Sequence, residues 1–326
     1  EVWLAQDSRL RRRVALKILR FSTVSDTEAL ERFQREAETV ATLHHTNIVP
    51  IFFVGCEQHV NYYAMQFIEG CNLSEVIADK DAEIPVSQVA GWGLQAAEAL
   101  AHAHQRGVIH RDVKPSNLIL DKEQRLWLTD FGLARRLDDV TLSLTGMLLG
   151  TPRYMSPEHA RATTKRIDQR SDLFSLGATL YELLTRKPAF PGEAAHAVIH
   201  QILVEEPTPI RQLNPQVSLD METIVMKCLA KEPEARYATA DELAADLRAL
   251  LEERPIRARR ATAIEQATRW LRQNQRSVSQ ISTAAMITLA VTLTSLLGWS
   301  SYKSWNMSAI RLSAINPPLV AEIFKD

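Results

Sequence analysis

Two short runs hold the residues best suited to chemistry. The first is His110-Arg111-Asp112-Val113-Lys114-Pro115-Ser116-Asn117. A hydroxyl that attacks a phosphoryl group needs a carboxylate to orient it and accept its proton, and Asp112 suits that work. Lys114, two residues on, supplies positive charge for a transferring phosphate. Asn117 offers an amide oxygen, a hard ligand of the kind Mg²⁺ prefers. A solitary Asp in a loop reads as a cap or a solvated turn, but four apt residues at this spacing do not. The second run, Asp130-Phe131-Gly132, follows the strand-like Leu126-Trp127-Leu128-Thr129. A carboxylate at a strand end can reach a metal, Gly132 permits an unusual backbone angle, and Phe131 can pack under a helix. The tripeptide alone is a weak signal; placed 18 residues after Asp112, with a strand between, it is a strong one.

These runs need elements to hold them. Residues 1–20 are rich in β-formers, and Val14 to Leu19 alternates as a strand with one buried face does. Residues 26–43 carry Leu30, Phe33, Ala37, Val40 and Ala41 at helical spacing, with Asp26 or Thr27 as cap. Strands are expected over 48–54 and 60–68, and a long Ala-rich helix over 86–106. Short strands and polar turns surround the two motifs, and helical patterns return over 171–185 and 217–251. The order is a β-rich small part followed by a helix-rich large part, without internal repeat or low-complexity tract.

Composition narrows the class. With 46% hydrophobic and 24% charged residues the chain is globular, and its formal net charge of −1 gives no field that would draw it to nucleic acid. Cys56, Cys71 and Cys228 lie far apart, which argues against zinc or disulfide frameworks and for reduced, buried thiols in a cytosolic setting. The last quarter differs. Seven arginines fall between Arg254 and Arg276, and no charged residue occurs from Ser277 to Tyr302. The 19 residues Ile281 to Trp299, at about 1.5 Å each, nearly match the ~30 Å of a bilayer core. Trp299, Tyr302 and Trp305 would form an aromatic belt, and the arginines would keep the preceding part cytoplasmic. Several Ser and Thr in this stretch also suit a buried or amphipathic helix of a soluble protein.

The motifs together resemble the eukaryotic-type (Hanks-type) protein kinases, in their bacterial serine/threonine branch, over residues 1–251. The resemblance implies an α+β, two-lobe protein-kinase fold. Residues 1–68 would be a β-rich small lobe lacking its first strand, and 69–251 a helical large lobe. A basic juxtamembrane linker (252–277), a transmembrane helix (278–302) and the start of an extracytoplasmic region (303–326) would follow. Lys17 would grip the α- and β-phosphates of ATP and pair with Glu36 of the next helix. Asn117 and Asp130 would hold Mg²⁺. Met65 would be the gatekeeper, Gln66 to Ile68 the adenine-binding hinge, and Val2, Ala15 and Ile119 further nucleotide contacts. The segment from Asp130 to Ser156-Pro157-Glu158 resembles an activation segment, with Ser where the family usually has Ala. Within it Thr151 resembles the substrate loop of Ser/Thr enzymes. Arg111 would receive a phosphate carried by Thr145 or, second, Ser143 (Thr141 also lies in the stretch). Such a group adds roughly −1.5 to −2 charges. Glu158 would form a buried ion pair with Arg236, and Asp172 would anchor the catalytic loop.

The sequence departs from the family at its start, where the glycine-rich loop is missing and Val2 matches that loop's final Val. It reads as an N-terminally truncated record. If residue 1 were the true start, weak ATP binding would be expected. The implied activity is transfer of the ATP γ-phosphate to Ser/Thr hydroxyls of protein substrates, with homodimerisation implied by resemblance alone. A pseudokinase scaffold is the alternative, although Lys17, Asp112 and Asp130, at least one of which such proteins usually lose, are all present. A small-molecule phosphotransferase of the same fold would lack the long segment ending in Pro157-Glu158 and the helix with Asp172.

Overall fold

Runs rich in β-branched, aromatic and other apolar residues build the first sheet. β1 (Val2–Asp7) and β2 (Arg12–Leu19) form an antiparallel hairpin. Asp7 Oδ1 shapes its turn by accepting the Arg9 and Leu10 N–H groups, both at 3.0 Å. β3 (Ile51–Glu57) and β4 (Val60–Gln66) complete a four-stranded sheet of order β1-β2-β4-β3. The computed structural model describes residues 2–19, 37–57, 60–131, 152–161, 167–192, 194–258 and 299. All but Trp299 belong to one compact unit, Glu1–Arg260. Of the helix expected over 26–43, residues 37–41 are described and are helical, with Ala37 and Val40 buried.

The strand expected from residue 48 starts at Ile51 instead. Ile48 bridges to Leu128 in parallel, and the Val49 N–H donates to the Leu128 carbonyl at 2.9 Å. These residues therefore tie the first sheet to the strand that leads into Asp130. The second expected strand stops at Gln66, and residues 67–69 run outside the sheet.

The rest of the unit is mostly helical. β5 (Gly70–Asn72), β6 (Leu118–Asp121) and β7 (Leu126–Leu128) make a small antiparallel sheet of order β5-β6-β7. Asn72 caps α1 (Leu73–Ala78), its side chain accepting from the Glu75 N–H. α2 (Val86–His104), α3 (Pro157–Ala160) and α4 (Arg170–Thr185) follow, then α5 (Ala195–Val204) and α6 (Ile210–Leu213). Every residue from Ser171 to Thr185 in α4 is buried, as suits a helix surrounded by others. α2 lies close against it: a Cβ on Gly93 would sit 3.1 Å from Leu180 Cδ2 and 3.4 Å from Leu247 Cδ1. The Ala-rich sequence of α2 is what permits this approach.

Helical pattern over 217–251 resolves into two helices, α7 (Leu219–Cys228) and α8 (Ala240–Leu251). Pro233 accounts for the break, since a proline inside a helix lacks the N–H and crowds the preceding turn. Ser218 and Thr239 cap the two helices, their hydroxyls accepting the Met221 and Glu242 N–H groups. The break leaves Arg236 in extended backbone and aims it at Glu158. Its two terminal nitrogens reach both carboxylate oxygens at 2.8 Å. It also donates to the carbonyls of Ala230, Lys231 and Arg170. Burial pushes the Glu158 carboxyl up, but the hydrogen bonds and charge of Arg236, with the Ser171 hydroxyl, outweigh it and hold the group at about 2.

The start of the expected basic linker is part of the compact unit. Buried Asp246 accepts the Arg257 and Ala258 N–H groups and the Tyr237 hydroxyl. The stretch proposed as a span, Trp299 apart, lies outside the described residues. Among the described residues no helix is long and apolar enough to cross a membrane. The cysteines are unpaired, but only Cys228 is buried, its thiol pushed up to about 12 by burial; Cys56, on the edge strand β3, is exposed.

Replacing Glu158 by Gln leaves a buried guanidinium without its counter-charge, and is expected to cost about 3–5 kcal/mol in urea denaturation. A loss below about 1 kcal/mol would be that of an ordinary surface change and would refute the argument. Because the folded carboxyl lies below its unfolded value of 4.5, its contribution is complete above that pH and declines as pH falls through about 2.

Candidate active site

The site residues come from several strands, helix α4 and the loops between them. Lys17 sits on β2, directly across from Val2 on β1 and Tyr63 on β4. Ala15, two residues earlier, is across from Met65. Successive side chains on a strand alternate faces, so Ala15, Lys17, Tyr63 and Met65 share one face. Ala15, Tyr63 and Met65 are buried, whereas Val2 is exposed at 54% on the outer strand. Gln66 and Ile68, at the end of β4 and just beyond it, are half-buried, as is Ile119 on β6, which lies opposite Trp127.

The loop 110–117 is fixed from beneath by Asp172 in the first turn of α4. Its Oδ2 accepts the His110 N–H at 2.8 Å and the His104 Nε2–H at 2.7 Å. Its Oδ1 accepts the Arg111 N–H at 2.7 Å. Burial pushes the Asp172 carboxyl up, but the hydrogen bond and charge of His104, then His110, reverse that and leave it low. Arg111 has φ 64°, a left-handed conformation that costs roughly 1–2 kcal/mol in a non-glycine residue. That turn presents consecutive N–H groups to one carboxylate.

His110 then connects the two motifs. Burial lowers its pKa. Its Nε2–H donates to the Thr129 carbonyl at 2.9 Å, and its Nδ1 accepts the Asp112 N–H at 3.2 Å. One imidazole thus spans from the backbone of Asp112 to the residue preceding Asp130. Phe131 packs against the same ring at 4.5 Å between centroids.

Around this frame the functional groups assemble. Lys114 Nζ lies 2.7 Å from Asp112 Oδ2. Asn117 donates through Nδ2 to the Asp112 carbonyl at 2.8 Å and to Asp112 Oδ2 at 3.0 Å. This leaves its amide oxygen as the atom suited to a cation. Lys17 Nζ lies 2.8 Å from Asp130 Oδ1, and the Tyr63 hydroxyl donates to the same oxygen at 2.9 Å. Asp130 also has a left-handed backbone, φ 61°. The carboxylate of Asp130 and the amide oxygen of Asn117 are hard oxygen donors, a fit for Mg²⁺. Thr129 touches Met65, its hydroxyl 3.4 Å from Sδ.

The structure therefore brings Lys17, Asp112, Lys114, Asn117 and Asp130 together, with Ala15 and Met65 behind them. Glu36, Ser143, Thr145 and Thr151 lie outside the described residues, so Lys17 is seen paired with Asp130. Next to Thr151, Tyr154 donates to Glu182 at 2.6 Å, and its carbonyl accepts the Ser175 hydroxyl at 2.7 Å. Sequence reasoning gave no role to His104, His110 or Tyr63. His104 reads as one more residue of an Ala-rich helix and Tyr63 as strand core, and only the fold shows which carboxylates they face.

With this geometry in hand, similarity to known proteins is informative. The family described as "Protein kinase domain" matches residues 1–247. Serine/threonine-protein kinase PknB of Mycobacterium leprae is 40% identical over 252 residues, covering 76% of this chain and 40% of that protein. Serine/threonine-protein kinase PrkC of Bacillus subtilis is 38% identical over 264 residues, covering 81% of this chain and 40% of that protein. The chain spans about two fifths of the length of these relatives. Among solved structures, the PknI kinase domain of Mycobacterium tuberculosis matches with a TM-score of 0.61 at 27% identity, covering 77% of this chain and 90% of that one.

Asp172→Ala removes the acceptor for two loop N–H groups. Each hydrogen bond to a charged group contributes about 1.5–3 kcal/mol, so amide exchange at His110 and Arg111 should accelerate by at least about tenfold. Asp172→Asn, which turns an NH₂ toward one donor, should lose nearly as much. Unchanged protection in both variants would show that Asp172 does not hold the loop.

Proposed function

The chain belongs to the protein kinase family, in its bacterial eukaryotic-type serine/threonine branch, and from that premise we propose that it transfers the γ-phosphate of ATP to Ser or Thr hydroxyls of protein substrates. The observation that carries this reading is the meeting of Asp112, Lys114 and Asn117 on one loop with Lys17 and Asp130 opposite. Asp112 is placed to orient the attacking hydroxyl and take its proton. Asn117 holds that carboxylate through Oδ2. Lys114 and Lys17 add positive charge where the phosphoryl oxygens gather it. Mg²⁺ on Asp130 and Asn117 would neutralise charge on the phosphates. Met65, Gln66 and Ile68 would receive adenine, with Ala15, Val2 and Ile119 beside it.

Regulation and location extend the reading. Phosphate on Thr145 or Ser143 would order the activation segment against Arg111, adding charge and acceptor oxygens. A span over 278–302 would anchor the protein in the cell membrane with the kinase part cytoplasmic, which the arginine excess before it supports. Homodimerisation would allow one copy to phosphorylate another.

Phosphate transfer to a generic Ser/Thr protein, with Mg-ATP and the full chain, tests the proposal. General-base contributions of this kind are worth about 10²–10⁴-fold, so Asp112→Asn should lose activity on that scale and Lys17→Met should also be severely impaired. A folded protein that binds nucleotide but transfers nothing, even after phosphorylation of its activation segment, would instead point to a scaffold.

A further inference from the structure

We propose that Tyr63 is a positioning residue for the Asp130 carboxylate and, through it, for the divalent cation; this rests on the reading of Asp130 as a metal ligand. Tyr63 is 2% exposed and directly across the sheet from Lys17, so both side chains leave the same face. Its hydroxyl donates to Asp130 Oδ1 at 2.9 Å, and Lys17 Nζ reaches that same oxygen at 2.8 Å. A carboxylate oxygen has two acceptor sites, and these donors take both on Oδ1. Oδ2 is then the oxygen presented to a cation.

The two donors are not equivalent. Lys17 ends a flexible four-carbon stem and brings charge. Tyr63 brings geometry, because a buried ring on a paired strand moves little. That distinction matters at Asp130, whose backbone is left-handed at φ 61° and would relax if released. A donor fixed to β4 favours the conformation in which the carboxylate faces the site.

Phenylalanine keeps the ring and removes the donor. Calorimetric ADP affinity of the full chain would be measured with and without MgCl₂, for wild type and Tyr63→Phe. Metal-free affinity should stay within about twofold, while the gain caused by Mg²⁺ should fall about tenfold, the scale of one hydrogen bond to a charged group. An undiminished gain, or an equal loss of affinity with and without metal, would overturn the proposal and reduce Tyr63 to packing. A wild-type protein with no Mg²⁺-dependent gain would remove the metal reading itself, and the proposal with it. A double-mutant cycle of Tyr63→Phe and Asp130→Asn, read as metal-free Tm, is the second measurement. Non-additive Tm shifts support the bond, and additive shifts overturn it.

Discussion

A carboxylate removed from water must collect donors, and Asp172 collects them from the backbone it organises. It accepts the His110 and Arg111 N–H groups and the His104 ring. The helix that carries it is buried from Ser171 to Thr185, so the anchor cannot shift without disturbing the core. Arg111 stays left-handed because its N–H finds Oδ1 in that conformation. Asp112 is then placed by chain geometry. His110 passes the same constraint to Thr129, and therefore to Asp130. Asp112 and Asp130, the two acidic residues of the candidate site, are thus held relative to one another through backbone atoms.

Three ion pairs among the described residues show two kinds of role. Lys114–Asp112 and Lys17–Asp130 are partly solvated, and pairs of that kind add little stability. Their value is local charge at fixed positions, which in the proposed phosphoryl transfer would face negative oxygens. Glu158–Arg236 is buried and bidentate. It holds α3 to the region between α7 and α8.

The candidate site was legible in the sequence because its residues fall in short runs. Asp112, Lys114 and Asn117 fall within one loop, and their spacing alone suggests their joint action. The long helices α2 and α4 were also readable, since each follows one uninterrupted pattern. What was not legible depends on contacts between distant residues. Ile48 looks like the start of a strand, but its partner is Leu128 and not a neighbour in the first sheet. The pattern over 217–251 hides a break whose use appears only when Arg236 meets Glu158. Tyr63 reads as an ordinary β-former, and its hydroxyl acquires meaning only beside Asp130.

In polymer terms, the Glu158–Arg236 pair is a cross-link between points 78 residues apart. Closing a flexible loop of that length costs about 4 kcal/mol by the logarithmic rule. Breaking such a pair costs a similar amount, so the link alone only about balances the closure it imposes. The helices enclosed by the loop, α4 to α7, must supply the surplus by burying their own faces. Helix α3, which carries Glu158, is therefore part of the same cooperative unit as those helices, and strain placed on it is carried into the core.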